Sequence, residues 1–317
     1  MPLKSDVLSV LLNNRDKDIS GQALAEQFGV SRNAVWKAVN AIKEQGYDII
    51  SSTNKGYRLS PDCDILSVER IKSLLNNTDA DIYISDCVDS TNNEAKRILM
   101  DKKNVNPVFI VAANEQTNGR GRFGRDFYSP KNHGLYFSIV LSPDAELNSV
   151  AGVTTYAAVC VADAISELTN QNPEIKWVND IFIEGKKVCG ILTEAVSDFE
   201  SGNVSNIIIG IGINLKKFDL PTQLKNIIGF LNYDKPLKNE LISSIFNKLL
   251  DFQEVKNSYI QKYKQYSLVL GKDIIYIRNG HKYFGEAVDI DRNGGLIVKT
   301  DGKYETLKSG EISLKLS

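Results

Sequence analysis

The segment NGRGRFGR at residues 118–125 sets three arginines among three glycines. Guanidinium groups form forked hydrogen bonds with carboxylates and phosphates, so Arg120, Arg122 and Arg125 are suited to holding an anion. Glycines make a loop costly to order while it is empty. The segment therefore predicts a loop that stays mobile until an anionic ligand binds, with a solvated arginine loop as the alternative.

The glycine spacing of this segment, Gly119-x-Gly121-x-x-Gly124, is also that of a dinucleotide-binding turn. Such a turn needs a helix directly after it and an acidic residue about 20 positions further on. The chain continues as RDFYSPKNHGL, in which Pro130 and Gly134 disfavour a long helix, and no suitably placed acid follows. The sequence therefore favours an anion-binding loop over a dinucleotide fold.

Residues 176–192, KWVNDIFIEGKKVCGIL, hold polar groups around a strand turn. Lys187 begins an apolar strand, so it is either an anion ligand or a side chain that extends from the sheet edge to solvent. Asn179 and Asp180 stand at a strand junction, where they either form a turn or hold a metal or a ribose. Taken alone, this stretch leaves both interpretations open.

A third stretch, VDSTNNEAKRIL at residues 88–99, places Ser90 and Thr91 between a strand and a helix. Glu94 follows Thr91 by three residues, which is the spacing of a helix capping box. A cap explains that spacing fully. The functional alternative is a hydroxyl that binds a small polar ligand at the carboxyl end of the strand.

Composition limits the remaining chemistry. The chain has 317 residues and a net charge of −1, so it has no overall basic field. His133 and His281 are too few for a histidine-based zinc site or a catalytic triad, and the four cysteines have no metal-ligand or disulfide-framework spacing. Apolar runs are shorter than the roughly 18 residues of a membrane span, and the first residues do not resemble a signal peptide. We predict a cytoplasmic protein with reduced cysteines.

Residues 20–59 predict two helices followed by a hairpin. Ser20 and Ser31 are suited to N-cap positions, and Gly29 is suited to ending the first helix. The apolar stripe of the second helix consists of Val35, Ala38, Val39 and Ile42. The turn signal in residues 53–56 adds a hairpin. This order of elements predicts a winged helix-turn-helix.

The outward face of the second helix carries polar and basic side chains that suit phosphates and base edges. Residues 31–59 hold five Lys and Arg against two acids, a balance of +3. We therefore predict DNA binding, with a helical oligomerisation or protein-binding module as the alternative. The predicted DNA contacts are Ser31, Arg32, Asn33, Lys37 and Lys55.

Beyond the hairpin, residues 60–67 have no periodicity and are predicted to be a linker. Residues 68–268 alternate strand and helix patterns, which predicts a mixed α/β domain. Residues 269–317 show short alternating strands with Asn-Gly and Asp-Gly turns, a pattern typical of a small β-barrel. The predicted fold class is therefore α+β and multidomain, with the winged helix-turn-helix over residues 1–62.

Together these stretches resemble the biotin protein ligase family, and specifically its bifunctional members that also act as the biotin operon repressor. GRGRFGR resembles the glycine–arginine biotin loop of that family, and residues 176–192 resemble its Lys-Trp-Pro-Asn-Asp…Lys-x-x-Gly-Ile-Leu motif. The resemblance covers nearly the whole chain. It implies a catalytic biotin ligase domain over residues 68–268 and an SH3-like C-terminal domain over residues 269–317.

The resemblance also implies a role for each matching residue. Lys187 and Arg122 are the implied catalytic residues, and Asp180 is an implied Mg²⁺ ligand. The implied biotin-binding residues are Ser90, Thr91, Asn92, Gln116, Gly119, Arg120, Arg122, Lys187, Gly190, Leu192 and Gly210. The implied ATP and adenylate residues are Arg122, Asn179, Asp180, Lys187 and Asn214.

The implied reaction uses ATP, biotin and Mg²⁺. The biotin carboxylate attacks the α-phosphate to give biotinyl-5′-AMP and pyrophosphate, and a lysine of biotin carboxyl carrier protein then takes the biotin. This route needs no enzyme nucleophile, in agreement with the lack of a convincing triad. The adenylate is further expected to promote homodimerisation and operator DNA binding, with no membrane involved.

Two positions depart from the family pattern. Val178 replaces a proline, which is expected to loosen its turn, and Phe127 stands where many members have tryptophan. Three alternatives stay open: a ligand-sensing repressor without catalysis, a lipoate-type ligase, and a ligase whose winged domain does not bind DNA. The retention of Arg122 and Lys187 argues against the first of these.

Overall fold

The computed structural model divides the chain into two compact units, Met1–Asn77 with Tyr233–Ser243 and Thr78–Asn232 with Ser244–Ser317. The structure describes residues 2–15, 17–44, 47–52, 55–61, 63–76, 80–101, 106, 108–141, 150–197, 204–252, 258–278 and 281–314. Among these residues, no helix is both long enough and apolar enough to cross a membrane. The three predicted domain ranges remain predictions.

The first unit contains the predicted helix-turn-helix and hairpin. Its elements are α1 (Pro2–Asn13), α2 (Gly21–Phe28), α3 (Arg32–Glu44), β1 (Ile49–Ser52), β2 (Gly56–Leu59) and α4 (Val68–Leu74). The stripe predicted on α3 is buried against residues of α1 and α2, including Leu11 and Leu24. Because α3 buries one face in this way, its opposite face is left at the surface.

The predicted helix ends are confirmed. The Ser20 hydroxyl accepts a hydrogen bond from the Ala23 N–H at 3.0 Å, and Ser31 accepts one from the Ala34 N–H at 3.2 Å. Gly29 ends α2 in the left-handed region, with φ 62°. Strands β1 and β2 pair antiparallel as the predicted wing, although Thr53 and Asn54 of its turn lie outside the described residues.

The predicted linker is more ordered than its composition suggested. Cys63, Leu66 and Ser67 are buried, and the Ser67 hydroxyl caps α4 by accepting from the Arg70 N–H. The Asp64 carboxylate accepts hydrogen bonds from the N–H groups of residues 237 and 238 at 3.0 Å. The segment therefore packs within the first unit through contacts about 170 residues apart, which a local pattern does not reveal.

The second unit is built on a seven-stranded mixed sheet with strand order β3-β4-β5-β9-β8-β7-β6. Strands β3 and β4 are parallel and are joined by helix α5 (Thr91–Asp101), and every other neighbouring pair is antiparallel. The strands are β3 (Asp81–Val88), β4 (Phe109–Gln116), β5 (Gly134–Leu141), β6 (Glu174–Lys176), β7 (Asp180–Ile183), β8 (Lys186–Ser197) and β9 (Val204–Asn214).

The central strands of this sheet and helix α6 are rich in apolar residues and are largely buried. Central strand β5 is almost wholly buried and β9 is buried from residue 207 onwards, so both show continuous apolar stretches instead of alternating ones. Helix α6 (Val150–Thr169) is apolar around its circumference and is buried over most of its described length. Two further helices follow, α7 (Lys238–Leu250) and α8 (Tyr259–Tyr266).

The C-terminal strands form a separate five-stranded antiparallel sheet. These strands are β10 (Asp273–Arg278), β11 (His281–Ile290), β12 (Leu296–Thr300), β13 (Lys303–Leu307) and β14 (Glu311–Leu314). The predicted Asp301-Gly302 turn joins β12 to β13, with φ 49° and 74°. The order β13-β12-β11-β10-β14 leaves β13 and β14 unpaired with each other among the described strands. A closed SH3-like barrel is therefore not confirmed, because closure requires those two edges to pair.

Candidate functional site

A cavity of about 230 Å³ opens in the second unit. It brings together the start of α5, the end of β4, the arginine loop, strands β7–β9 and the segment around β14. The predicted residues that line it are Ser90, Thr91, Asn92, Gln116, Arg120, Arg122, Asn179, Asp180, Lys187, Gly190, Leu192 and Gly210. Stretches far apart in sequence therefore meet in one site.

Ser90, Thr91, Asn92 and Gln116 line one part of the cavity, and the fully buried Ser138 is hydrogen-bonded to two of them. We call these five residues the hydroxyl floor. Thr91 donates its N–H to Gln116 Oε1 at 2.9 Å, and its hydroxyl lies 3.2 Å from the same oxygen. The Ser138 hydroxyl lies 2.8 Å from Thr91 Oγ1 and 2.6 Å from Asn92 Oδ1. Thr91, Asn92, Gln116 and Ser138 therefore form a continuous hydrogen-bonded network of neutral groups.

Glycines let these groups approach the sheet. A Cβ placed at Gly210 would lie 2.3 Å from Asn92 Oδ1, and one at Gly212 would lie 2.4 Å from the Phe127 ring. The same ring lies 3.3 Å from the Cβ position of Gly190. The Phe127 ring therefore packs against the glycines of β8 and β9. Phe127 is the residue that stands where many members of the resembled family have tryptophan.

The other part of the cavity, which we call the charged side, consists of Arg120, Arg122, Asn179, Asp180 and Lys187. Lys187 Nζ lies 2.7 Å from Asp180 Oδ1, and both side chains are about one quarter exposed. Arg122 donates to Asn179 Oδ1 at 3.2 Å. Asn179 is held in turn, because its Nδ2 donates to the Ile191 carbonyl at 2.9 Å.

The arginine loop folds back on itself instead of opening a helix. The Phe127 N–H donates to the Gly119 carbonyl at 2.8 Å, and the Gly121 N–H donates to the Arg125 carbonyl at 2.6 Å. A short 3₁₀ turn, Arg122–Gly124, forms its tip, where Phe123 has φ 58° and is 63% exposed. The rejection of a dinucleotide turn is confirmed, because β5 follows the loop with no intervening helix.

The capping-box interpretation is wrong. Thr91 is the first residue of α5, and its hydroxyl contacts Gln116 and Ser138. The Glu94 carboxylate pairs with Arg97 instead. Tertiary partners outcompete the local cap because they lie on strands that pass directly beneath the helix start.

Two predicted residues do not line the cavity. Gly119 lies just behind it, where a Cβ would meet the Phe127 carbonyl at 2.4 Å. Asn214 is buried, and its Nδ2 donates to the Lys187 carbonyl at 3.4 Å. Asn214 therefore contacts the strand that carries Lys187, and its role towards adenine stays a prediction.

Sequence reasoning missed three polar residues at the hydroxyl floor. Ser129 accepts from Gln116 Nε2 at 2.9 Å, and Ser138 connects Thr91 to Asn92. Glu194 accepts from Asn92 Nδ2 at 2.7 Å and pairs with Lys96 at 2.7 Å. A polar residue within the apolar run of β5 was the available signal for Ser138. Glu194 offered no comparable signal.

The C-terminal sheet also reaches the cavity. Gly310, Ile312 and Ser313 are among its lining residues, as are Lys176 and Asp180. Trp177 Nε1 donates to the Gly294 carbonyl at 2.9 Å, which ties the Lys176–Asp180 turn to the β11–β12 turn.

The charged side is poor in metal ligands. Within the described ranges, no three His, Cys, Asp or Glu side chains lie close enough to hold a metal ion. Asp180 therefore fits Mg²⁺ only as a single protein carboxylate, with phosphates and waters supplying the other oxygens. Burial raises the pKa of the Cys189 thiol, despite the nearby Lys187, so this cysteine stays protonated and is unsuited to metal binding or nucleophilic attack.

In the first unit, the outward face of α3 and the wing form a surface groove. Arg32, Asn33 and Trp36 line it beside Ser51 and Gly56. Trp36 is 53% exposed, so it projects from the face that the core does not use. Lys37 and Lys55 are also exposed. All five predicted DNA contacts therefore lie at the surface of the helix-turn-helix and wing, with Ser31 at the start of α3.

Comparisons with known proteins match all three parts of the chain. Residues 84–214 match the model of the biotin/lipoate A/B protein ligase family, residues 4–58 match an HTH domain, and residues 269–315 match the biotin protein ligase C-terminal domain. The bifunctional ligase/repressor BirA of Bacillus subtilis is 31% identical over 98% of both chains. The chain belongs to the family of bifunctional biotin ligase/repressors.

Two further relatives support this family assignment. The bifunctional ligase/repressor BirA of Escherichia coli is 26% identical over 99% of this chain and 97% of its own. The structure of a biotin protein ligase from Aquifex aeolicus in complex with biotin and ATP matches with a TM-score of 0.62 and 28% identity. That match covers 75% of this chain and 99% of the other, so this family member has additional residues relative to the Aquifex aeolicus enzyme.

Proposed function

We propose that this protein is an ATP-dependent biotin–protein ligase and a biotin-responsive transcriptional repressor. The observation that carries the ligase proposal is the division of one cavity into a neutral hydroxyl floor and a charged side. A cyclic urea matches neutral donors and acceptors, whereas a carboxylate beside a triphosphate matches Arg122 and Lys187. Biotin carries the urea and the carboxylate at opposite ends.

We propose a residue role for each part of the cavity. Ser90, Thr91, Gln116 and the loop residues around Arg120 bind the biotin head, and the glycines of β8 and β9 form the wall. Asn179 and Asp180 face the nucleotide, with Asn214 behind them. Phe127 closes the cavity over Gly190 and Gly212.

In the first step, a biotin carboxylate oxygen attacks the α-phosphorus of ATP, and the bond to the β-phosphate oxygen breaks to release pyrophosphate. Two anions must approach each other, so the main catalytic demand is electrostatic. Lys187 and Arg122 neutralise the carboxylate and the α-phosphate. Asp180 holds Lys187 Nζ in position at 2.7 Å until the substrates enter.

In the second step, the amine of an acceptor lysine attacks the acyl carbon of biotinyl-5′-AMP, the amine loses a proton, and AMP leaves. The acceptor is a lysine of a biotin carboxyl carrier protein. The arginine loop folds over the mixed anhydride and keeps water out. Mg²⁺, held by the phosphates and Asp180, would screen the charge of the triphosphate.

The repressor role uses the first unit. The basic face of α3 and the wing binds operator DNA, and biotinyl-5′-AMP promotes homodimerisation, which couples biotin supply to DNA binding. The C-terminal sheet acts as an SH3-like cap over the charged side, where Gly310 and Ser313 line the cavity. We place the whole activity in the cytoplasm.

The experiment that tests the ligase proposal is ATP–pyrophosphate exchange with Mg²⁺ and either biotin or lipoate. We expect exchange with biotin and at least about 100-fold less with lipoate, because the lipoate ring has no group for the hydroxyl floor to bind. Exchange with lipoate alone would replace the proposal by a lipoate-type ligase. Biotin binding without exchange would leave a ligand-sensing repressor.

A second experiment tests DNA binding. Because phosphate contacts release counterions, affinity for DNA falls with salt, and the slope of log K against log salt should fall by about 1 in Arg32→Ala. Lys72→Ala, an exposed lysine of α4, is the control. Salt-independent association, or equal slopes in both variants, would show that the winged domain does not bind DNA through α3.

A further inference from the structure

The charges that line the cavity are mostly positive. Among its lining residues, five are Lys or Arg and two, Asp126 and Asp180, are carboxylates. The positive ones are Arg120, Arg122, Arg125, Lys176 and Lys187. An acceptor lysine arrives with a further positive charge, because the ordinary pKa of its ammonium is about 10.4. Since like charges repel at close range, the acceptor needs a carboxylate to approach the cavity.

The two lining carboxylates differ in what they already contact. Asp180 Oδ1 lies 2.7 Å from Lys187 Nζ, so this carboxylate is engaged by a cation of the protein. Asp126 is exposed, and within the described part of the chain its side chain takes part in no ion pair and no hydrogen bond. Of the two, Asp126 is therefore the carboxylate that can take an incoming cation.

Asp126 also lies where a side chain from outside would enter. An open surface groove of about 550 Å³, which we call the side groove, is lined by residues 115–119 and 126–131. Gln116, Asp126 and Phe127 line both the side groove and the cavity, so they stand at the boundary between the two. A side chain that enters from the side groove therefore meets the Asp126 carboxylate before it reaches the charged side.

The backbone of the arginine loop holds Asp126 without using its side chain. Arg120 and Asp126 face each other as an antiparallel bridge, and backbone hydrogen bonds at Gly119 and Gly121 flank this pair. Side chains of facing residues in an antiparallel pair lie on the same side. The bridge therefore sets the carboxylate beside Arg120, and a second role, that of orienting Arg120, has to be distinguished by experiment.

We propose that Asp126 receives the ammonium group of the acceptor lysine and positions it where the side groove meets the cavity. The inference rests on the proposed ligase function and concerns its second step. After pairing with Asp126, the ammonium gives one proton to solvent, and the neutral amine attacks the acyl carbon of biotinyl-5′-AMP. The nitrogen then loses a further proton to solvent, and AMP leaves with the electrons of the acyl–oxygen bond. Asp126 makes and breaks no covalent bond, so it acts on KM for the acceptor more than on kcat.

The test is transfer of biotin from synthetic biotinyl-5′-AMP to an apo biotin carboxyl carrier protein. Supplying the adenylate bypasses the first step. We expect KM for the carrier protein to rise about 5-fold in Asp126→Asn, the size of effect of an ion pair that is exposed before binding, with kcat changed less than about 2-fold. Asp126→Glu keeps the charge and should recover most of the loss. Higher ionic strength should narrow the difference between wild type and Asp126→Asn, because salt screens exposed charges.

Two further measurements separate positioning of the ammonium from a general defect. Hydroxylamine is largely neutral at pH 8 and attacks the same acyl carbon, so it should cleave the bound adenylate at the same rate in wild type and Asp126→Asn. The matched control is Asp273→Asn, which removes an exposed carboxylate of β10 outside the cavity and should leave KM for the carrier protein at the wild-type value. Asp126→Ser repeats the test if Asp126→Asn fails to fold.

Three outcomes overturn the proposal. The first is a KM for the carrier protein that is unchanged in Asp126→Asn, or that rises equally in Asp273→Asn. The second is equal slowing of transfer to hydroxylamine and to the carrier protein, which would show a purely structural role. The third is a loss in Asp126→Asn that is confined to biotin-dependent pyrophosphate exchange, which would show that Asp126 orients Arg120 for the first step instead.

Failure of the proposed function looks different. A wild-type protein without pyrophosphate exchange, whose transfer from supplied adenylate depends on Asp126, would keep the positioning role and remove the first step. A wild-type protein that exchanges with biotin, but whose transfer does not depend on Asp126, would keep the ligase and remove the positioning role. A wild-type protein that transfers no biotin from supplied adenylate overturns both.

Discussion

The hydroxyl floor and the charged side differ in how deeply their side chains are buried. Four of the five residues of the hydroxyl floor are buried, with Ser138 0% and Thr91 4% exposed, and Gln116 is partly buried. On the charged side, the Lys187 side chain is 27% exposed, and Arg120 lies at the surface of a loop whose tip residue, Phe123, is 63% exposed.

The cost of burial explains the difference. Neutral groups that satisfy one another can be buried before a ligand arrives, so the floor is preformed and suited to selecting the biotin head. Ionised groups are costly to bury even where they are paired, as Lys187 is with Asp180, so the charged side stays partly exposed. We therefore expect substitutions on the charged side to lower kcat, and substitutions at the floor to change biotin affinity.

The largest expected effect is that of Lys187→Ala. Removing this ammonium should lower kcat for biotin-dependent pyrophosphate exchange by about 10³-fold, because it neutralises charge at the reacting atoms. Biotin binding without ATP should change much less. The control is Lys186→Ala, whose side chain is exposed on the same strand. Equal losses in kcat and in biotin affinity would contradict separate roles for the charged side in catalysis and the hydroxyl floor in biotin binding.

A smaller loss is expected for Arg122. Arg122→Ala should lower kcat about 100-fold, and Arg122→Lys should give an intermediate value, because lysine keeps the charge but loses the forked donors. Single-turnover formation of biotinyl-5′-AMP measures this step directly. If Arg122→Lys were as impaired as Arg122→Ala, forked geometry would matter more than charge.

At the floor, Gly210→Ala tests close packing. The added Cβ would lie 2.3 Å from Asn92 Oδ1, and overpacking of this kind costs about 1–3 kcal/mol. We expect biotin affinity to fall on the order of 10-fold, with kcat at saturating biotin little changed. Gly302→Ala is the control for a general loss of stability, because alanine is strained at its positive φ although nothing lies within 4 Å of its Cβ position, and it should leave biotin affinity unchanged. A loss confined to kcat would contradict the role of the hydroxyl floor in binding biotin.

The smallest expected effect concerns acid stability beside the floor. Burial would raise the pKa of Asp89, but hydrogen bonds from Asn93 and Arg97 outweigh it and lower that pKa to about 2. A depressed folded-state pKa stabilises the fold above the unfolded value of 3.8, and this stabilisation is lost as pH falls towards 2.

Asp89→Asn should therefore be less stable than wild type at pH 5, and the gap should narrow between pH 4 and pH 2.5. Urea midpoints at these pH values measure the gap. A gap that stays constant across this range would show that the Asp89 carboxylate contributes nothing through its ionisation.

Local sequence patterns correctly predicted features that depend only on neighbouring residues, such as helix caps and turns. The caps at Ser20 and Ser31, the left-handed Gly29 and the Asp301-Gly302 turn follow from backbone preferences of single residues, and the structure confirms them. The same reasoning failed at Thr91 and Glu94, whose capping-box spacing is overridden by strands beneath the helix. It also treated residues 60–67 as a linker, although Asp64 accepts from backbone groups of the 233–243 segment.

The sequence by itself determined which chemistry is available, because three arginines, one lysine after a turn and a basic helix face are set by residue type. It also determined the local element types. Only the tertiary structure decided that Ser138 and Glu194 join Thr91 and Asn92, since these pairs are 46 to 102 residues apart and meet through sheet register. These contacts depend on distances between side chains of different strands and helices, and no single stretch of sequence encodes them.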